Sequence, residues 1–154
     1  MRIAVSGTGG SGKTTIAGTL ARSFARLGRQ VLAVDIEASI EHMNRGTVRH
    51  MDRMLIVTEP YYCSLETTGR LIPLARELGI PRVYAVANKL LDQRDEAAVL
   101  EYYRQHGLEV AGRVPFDPSI VEADRAGLAI IDYNPDTPAV VKIHRLARWL
   151  EEMG

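Results

Sequence analysis

The sequence predicts an α/β domain in three layers, about five parallel strands with helices on both faces. Three observations predict it. Short apolar runs alternate with longer stretches of helical periodicity along the whole chain. Glycines, acids and amides gather just after the apolar runs, where parallel sheets bind their ligands. The composition is that of a globular domain: 154 residues, 46% hydrophobic and 25% charged, enough to bury a core. Residues 1–154 read as one domain.

Residues 2–6 form a short apolar run bounded by glycine, hence a buried strand. From Lys13 to Leu27, Ile16, Leu20, Phe24 and Leu27 recur on one helical face, and Gly28 stands where a left-handed terminator belongs. Residues 30–36 make a second strand. Residues 39–51 read as a weaker helix interrupted by Gly46, and 53–58 as a third strand. Ser64 is expected to cap a helix running to Leu78, with Pro73 kinking or splitting it. Residues 82–87 are a fourth strand. Asp92 caps a helix to His106, closed by Gly107, and 109–114 are a fifth strand. Asp117-Pro118 opens a short helix ending at Gly127, and Thr137-Pro138 opens the last one, ending near Glu152. The expected strand order places 31–36 beside 2–6, followed by 53–58, 82–88 and 108–114.

Charge and cysteine content exclude several classes. The formal net charge is zero, which argues against a general nucleic-acid binder. Cys63 is the sole cysteine, so neither an intrachain disulfide nor a multi-cysteine zinc site can form. No apolar run is long enough for a membrane span. The first residues run straight from a strand into a glycine-rich loop, unlike a signal peptide, so a cytoplasmic location is expected. His42, His50, His106 and His144 lack partners at helical spacing for metal binding. The loop at Tyr61, Tyr62 and Cys63 should lie near a strand end. Trp149 with Ile143, Leu146 and Leu150 forms the buried stripe of the last helix.

The most specific signal is Gly7-Thr8-Gly9-Gly10-Ser11-Gly12-Lys13-Thr14, which fits G-x-x-x-x-G-K-[ST] between a strand and a helix. Glycines bend the backbone so that successive N–H groups point at one anion, and the helix N-terminus adds positive potential. Gly9, Gly10, Ser11 and Gly12 would cradle phosphate. Lys13 would reach the β- and γ-phosphates, Thr14 would ligate Mg²⁺, and Thr15 could donate to the α-phosphate. Asp35, ending the second strand, can hold the magnesium through a water, which makes Lys13 and Asp35 the catalytic candidates. Glu37 could share that water network.

Asn88-Lys89 follows the fourth strand, and a side-chain amide there can read a purine edge. Guanine-specific proteins carry an aspartate two residues after the lysine of N-K-x-D. Here Leu91 holds that place and Asp92 comes one residue late, so adenine is expected. Pro115, Phe116 and Asp117 can wall the base, with Asp117 also free to cap the following helix.

Residues 3–15 resemble the deviant Walker A loop of the MinD/ParA/iron-protein class of P-loop NTPases. The stretch 35–47 resembles switch II of the CooC-type ATPases that insert nickel into carbon monoxide dehydrogenase. Residues 52–59, 64–67, 88–89 and 114–117 extend the likeness. The resemblance implies a P-loop fold, ATP or ADP with Mg²⁺, slow ATP hydrolysis and a role as an accessory switch for a client protein. Three departures stand out. The class's signature lysine, which reaches across a dimer, falls on Thr8. The switch II glycine falls on Ser39. The segment bearing switch I and a C-x-C metal motif is missing, so the nickel role does not carry over. A shortened sheet exposes edge backbone that a second copy could cover, so a homodimer is expected. A non-hydrolysing adenine-nucleotide module is the alternative. A small-molecule kinase is another, although no acceptor site is legible beside Arg45, Arg49 and Arg53.

Overall fold

A computed structural model of the chain describes residues 1–37 and 50–153. Its strands are β1 (Arg2–Gly7), β2 (Leu32–Glu37), β3 (Arg53–Thr58), β4 (Val83–Leu90) and β5 (Glu109–Pro115). Its helices are α1 (Lys13–Arg26), α2 (Tyr62–Glu77), α3 (Gln93–Gln105), α4 (Ser119–Arg125), α5 (Ile130–Tyr133) and α6 (Pro138–Glu152). All strand pairs are parallel, in the order β2-β1-β3-β4-β5. This is the order expected from the sequence. The chain leaves β1 for β2 on one side and returns to β3 on the other, so a crevice opens at the carboxyl end of β1.

Strand alternation builds two cores. Ile3, Val5, Leu55, Val57 and Val86 face α1 and α6, against Ile16, Leu20, Phe24, Ile143 and Leu146. Ala4, Met54, Ile56, Ala85 and Ala87 face α2 and α3, against Leu71, Ile72, Val99 and Tyr103. A smaller cluster of Ala123, Ile130, Ile131 and Val140 seats α4 and α5 on α6. Every residue of β3 is buried, as a central strand covered on both faces should be.

Local signals explain the boundaries. Gly28 and Gly107 take φ of 70° and 61° after α1 and α3, the left-handed region that glycine enters without a Cβ penalty. Asp92 caps α3, its Oδ1 accepting from the amides of Arg94 (2.8 Å) and Asp95 (3.0 Å). Ser64 departs from expectation. The helix begins three residues earlier, with Tyr61 at the N-cap, because the Tyr61 carbonyl accepts from the amides of Ser64 and Leu65. The Ser64 hydroxyl instead accepts from the Glu59 amide at 3.0 Å. Helix α2 also continues through Pro73 as one element, since a proline removes only its own donor to the carbonyl one turn back. The four-residue α5 was not expected, being too short to show periodicity. The helical expectation for 39–51 falls almost wholly outside the described residues, as do Ser39 and the Glu37 side chain.

Helix α6 is tied down at both ends. Arg53 donates to the Leu150 carbonyl and Arg82 to that of Met153, placing cations at the negative end of the helix. At the other end the Asp117 carboxylate accepts from the amides of Ala139 (3.2 Å) and Ser119 (3.0 Å), joining α6 to α4. Burial pushes this carboxyl up, but the hydrogen bonds from Ala139, Ser119 and Thr137 outweigh it. The net effect holds the group below its ordinary 3.8.

Two outcomes follow for stability. Ile143→Ala, at a site 1% exposed, should cost about 2–5 kcal/mol in urea unfolding. A depressed carboxylate stabilises the fold above its unfolded pKa, and that contribution is lost as pH falls through the folded value. Asp117→Asn should therefore lower the urea midpoint at neutral pH. It should also flatten the decline of stability that wild type shows as pH drops below 3.8.

Candidate nucleotide-binding site

The loop between β1 and α1 is bent by glycine. Gly10 and Gly12 take φ of 78° and 92°, and Gly12 is the residue from which α1 starts. A Cβ on Gly12 would strike the Asn88 amide, so the turn and the close approach both require glycine. Ser11 is fully buried, its amide donating to the Thr8 carbonyl at 3.2 Å. Lys13 is 7% exposed, and its Nζ donates to the Thr8 carbonyl at 3.0 Å. The ammonium therefore lies back across the loop, on the same carbonyl that takes the Ser11 amide.

Thr14 and Asp35 come from different elements and meet. The Thr14 hydroxyl donates to the Asp35 carboxylate, across the paired ends of β1 and β2. A hydroxyl beside a carboxylate at a helix N-terminus suits magnesium, which takes one or two protein oxygens and keeps its waters. Among the described residues no three His, Cys, Asp or Glu side chains converge on a metal position.

The end of β4 braces the loop. Asn88 is 5% exposed, and its Nδ2 donates to the Ser11 carbonyl at 2.7 Å. One of its two N–H donors is thus engaged, and the other, with Oδ1, lies outside that bond. Lys89 donates to the Gly10 carbonyl and pairs with Glu59 at 2.9 Å. Its φ of 57° makes it the one non-glycine residue with positive φ among those described. Such backbone costs about 1–3 kcal/mol and gathers at functional sites.

A cavity of about 140 Å³ opens beside the loop. Gly12, Thr15, Asn88, Lys89, Pro115, Phe116 and Asp117 line it, with Ile120, Val121 and Ile143 as its apolar wall. Of the sequence candidates for phosphate, Gly12 and Thr15 thus share this cavity with those for the base, while Asp35 meets Thr14 outside it. Phe116 is 47% exposed at its mouth. Asp117 spends both carboxylate oxygens on backbone amides, so its contribution to the wall is positional. A wider trough of about 550 Å³ continues from Gly10, Thr14 and Thr15 along Thr19 and Arg22 to α4 and α5.

Two residues here escaped the sequence reading. Glu59 holds Lys89, and Ser64 joins the Glu59 amide to the Thr8 hydroxyl, whose Oγ1 lies 3.2 Å from Ser64 Oγ. The serine was visible in the sequence, but its local spacing pointed to a cap. Its true partners lie 56 residues away in Thr8 and on the preceding strand end.

Gly12→Ala should prevent the loop from forming, since it meets both left-handed backbone and the Asn88 amide. Asn88→Ala should cost about 1–3 kcal/mol by leaving the buried Ser11 carbonyl unpaired. Urea unfolding of the two variants, with amide exchange across residues 7–14, checks both.

The comparisons with known proteins agree with this geometry. Over residues 3–130 the chain matches the family model described as the CobQ/CobB/MinD/ParA nucleotide binding domain. It is 38% identical over 137 residues to the carbon monoxide dehydrogenase accessory protein CooC of Rhodospirillum rubrum, covering 88% of this chain and 51% of that one. It is 35% identical to an uncharacterised ATP-binding protein of Methanocaldococcus jannaschii, covering 92% of this chain and 56% of the relative. The chain thus spans about half the length of these curated relatives. In fold it is similar to the cell division protein MinD of Aquifex aeolicus, with a TM-score of 0.86 at 18% identity over 98% of this chain and 97% of that one. It is also similar to a MinD of Pyrococcus horikoshii complexed with Mg-ADP, with a TM-score of 0.75 at 14% identity over 99% and 96% of the two chains. No described helix is long and apolar enough to cross a membrane. With five parallel strands, a glycine-bent loop and a family match over most of its length, the chain belongs to the CobQ/CobB/MinD/ParA nucleotide-binding domain family.

Proposed function

We propose that the chain binds ATP and ADP with Mg²⁺, hydrolyses ATP slowly, and uses the nucleotide state to set its contact with a client protein. The observation that carries this reading is the meeting of Lys13, Thr14, Asp35 and Asn88 around one glycine-bent loop. Loop amides and the Lys13 ammonium would hold the polyphosphate, and the α1 N-terminus adds positive potential there. Thr14 and Asp35 would hold the magnesium, which when bound neutralises charge on the transferring phosphate.

Base choice rests on what the end of β4 lacks. Leu91 takes the place of the guanine-reading carboxylate and is 66% exposed. Asp92 cannot substitute, because its Oδ1 caps α3. A guanine's N1–H and 2-amino group would find no acceptor carboxylate. Adenine asks for fewer partners, and Asn88 Oδ1 with neighbouring backbone can supply them.

Slow turnover is the expectation from Thr8. A hydroxyl supplies no positive charge where the class's signature lysine stands, and a missing cation at a transferring phosphate can cost several orders of magnitude in rate. The likeness to CooC supports a role in assisting another protein. Association of two copies belongs to the same reading, and light scattering with and without ATP tests it.

Titration calorimetry in Mg²⁺ should show binding of ATP and ADP at least about tenfold tighter than GTP, a gap of about 1.4 kcal/mol. Lys13→Ala should lose ATP binding and any steady phosphate release. Binding without release in wild type would leave the non-hydrolysing module as the function. Absence of adenine-nucleotide binding at millimolar ligand would refute the proposal.

A further inference from the structure

Among the described residues β5 is the last strand of the sheet, with β4 as its sole neighbour, and only its carboxyl end at Val114 and Pro115 reaches the cavity beside the glycine-bent loop. Its outer edge is therefore a row of amides and carbonyls without sheet partners. Beside that edge runs a groove of about 290 Å³ between β5 and α6. Its floor is apolar: Leu146 packs over Gly112, in van der Waals reach of where a Cβ would stand, and Trp149 lies half-buried against Tyr84. Its rim is basic. Lys142 and Arg145 are exposed and stand at i,i+3 on α6, so both project to the same side. Among the described residues neither pairs with an acid, while Arg113 across the groove pairs with Glu96.

We propose that this edge and groove take up an extended acidic segment of a partner protein as a sixth strand. The two halves of the recognition are separate. The β5 edge offers main-chain hydrogen bonds, which only another polypeptide strand can return in register. The α6 rim offers cations over an apolar floor. An added strand points alternate side chains to one face, so a segment alternating acidic and apolar residues would set its acids on Lys142 and Arg145. Nucleic acid fits less well. A phosphodiester has no donors for the β5 carbonyls, and the chain's net charge of zero gives no long-range attraction to a polyanion. The inference does not depend on nucleotide binding, because none of these residues lines the glycine-bent loop.

Trp149 is the only tryptophan in the chain, so its emission reports on the groove directly. The probe is a peptide of alternating Glu and Val, about as long as the seven-residue β5, titrated into the whole chain. Saturable change of Trp149 emission is expected, weakened by salt and lowered about tenfold or more in affinity by the double variant Lys142→Glu/Arg145→Glu. Both substituted residues are exposed, and circular dichroism confirms that the variant is folded. The same peptide with alternate backbone amides N-methylated should not bind, because it cannot pair with an edge. Equal binding of the methylated peptide would overturn the proposal, as would no response at millimolar peptide or no effect of charge reversal. Tighter binding of duplex DNA, or a peptide-independent change in Trp149 emission that tracks a doubling of mass, would overturn it in favour of a nucleic acid or a second copy.

Discussion

The site depends on a clamp between two strand ends. Asn88 at the end of β4 holds the Ser11 carbonyl, and Lys89 holds that of Gly10. These two bonds draw the loop's carbonyls toward β4, while the Ser11 amide donates within the loop to the Thr8 carbonyl. Gly12 has no side chain because the Asn88 amide stands where one would begin. Lys89 accepts left-handed backbone to make its contact, and Glu59 holds its ammonium in place. The loop's shape is therefore set in part by a segment more than seventy residues away, which the loop motif does not contain.

The sheet order makes the clamp possible. β1 and β3 are adjacent and β4 comes next, so the loop after β1 lies over the carboxyl ends of both. Asp35 reaches Thr14 from the opposite neighbour, β2. The loop and the first turn of α1 thus receive a carboxylate from one side and an amide and an ammonium from the other. Helix α6 closes the apolar wall with Ile143, and Asp117 fixes the start of α6 to that of α4. The arginines at its far end hold the same helix against the amino ends of the strands. The wall of the base cavity is set by contacts spanning the height of the sheet.

Much of this was legible in the sequence. The strand order, the caps at Asp92 and Thr137 and the glycine stops after α1 and α3 rest on local patterns that survive folding. The loop motif marked the glycine-bent turn after β1, and the strand-end rule brought Asp35 to Thr14 and set Asn88 and Phe116 in one cavity beside that turn. What could not be read was pairing at a distance. Asn88 stands at a strand end where a base contact is expected, and an N–H of its amide is also held by the loop, from a partner 77 residues away. Ser64 was read as a cap by its spacing, and its hydroxyl is drawn to Glu59 and Thr8 instead. Glu59 stands in the sequence only as a strand end within the 52–59 likeness, with nothing local to pair it with Lys89. In each case the decisive partner lies on another strand end, beyond the reach of local periodicity.

The most direct measurement is a crystal structure of the chain grown with ADP and magnesium. The expected result is a diphosphate within residues 7–14 under Lys13, magnesium at Thr14 on the side of Asp35, and the adenine between Asn88 and Phe116. ADP bound elsewhere, or a base lying outside the cavity walled by Ile120 and Ile143 while the loop keeps its present shape, would contradict it.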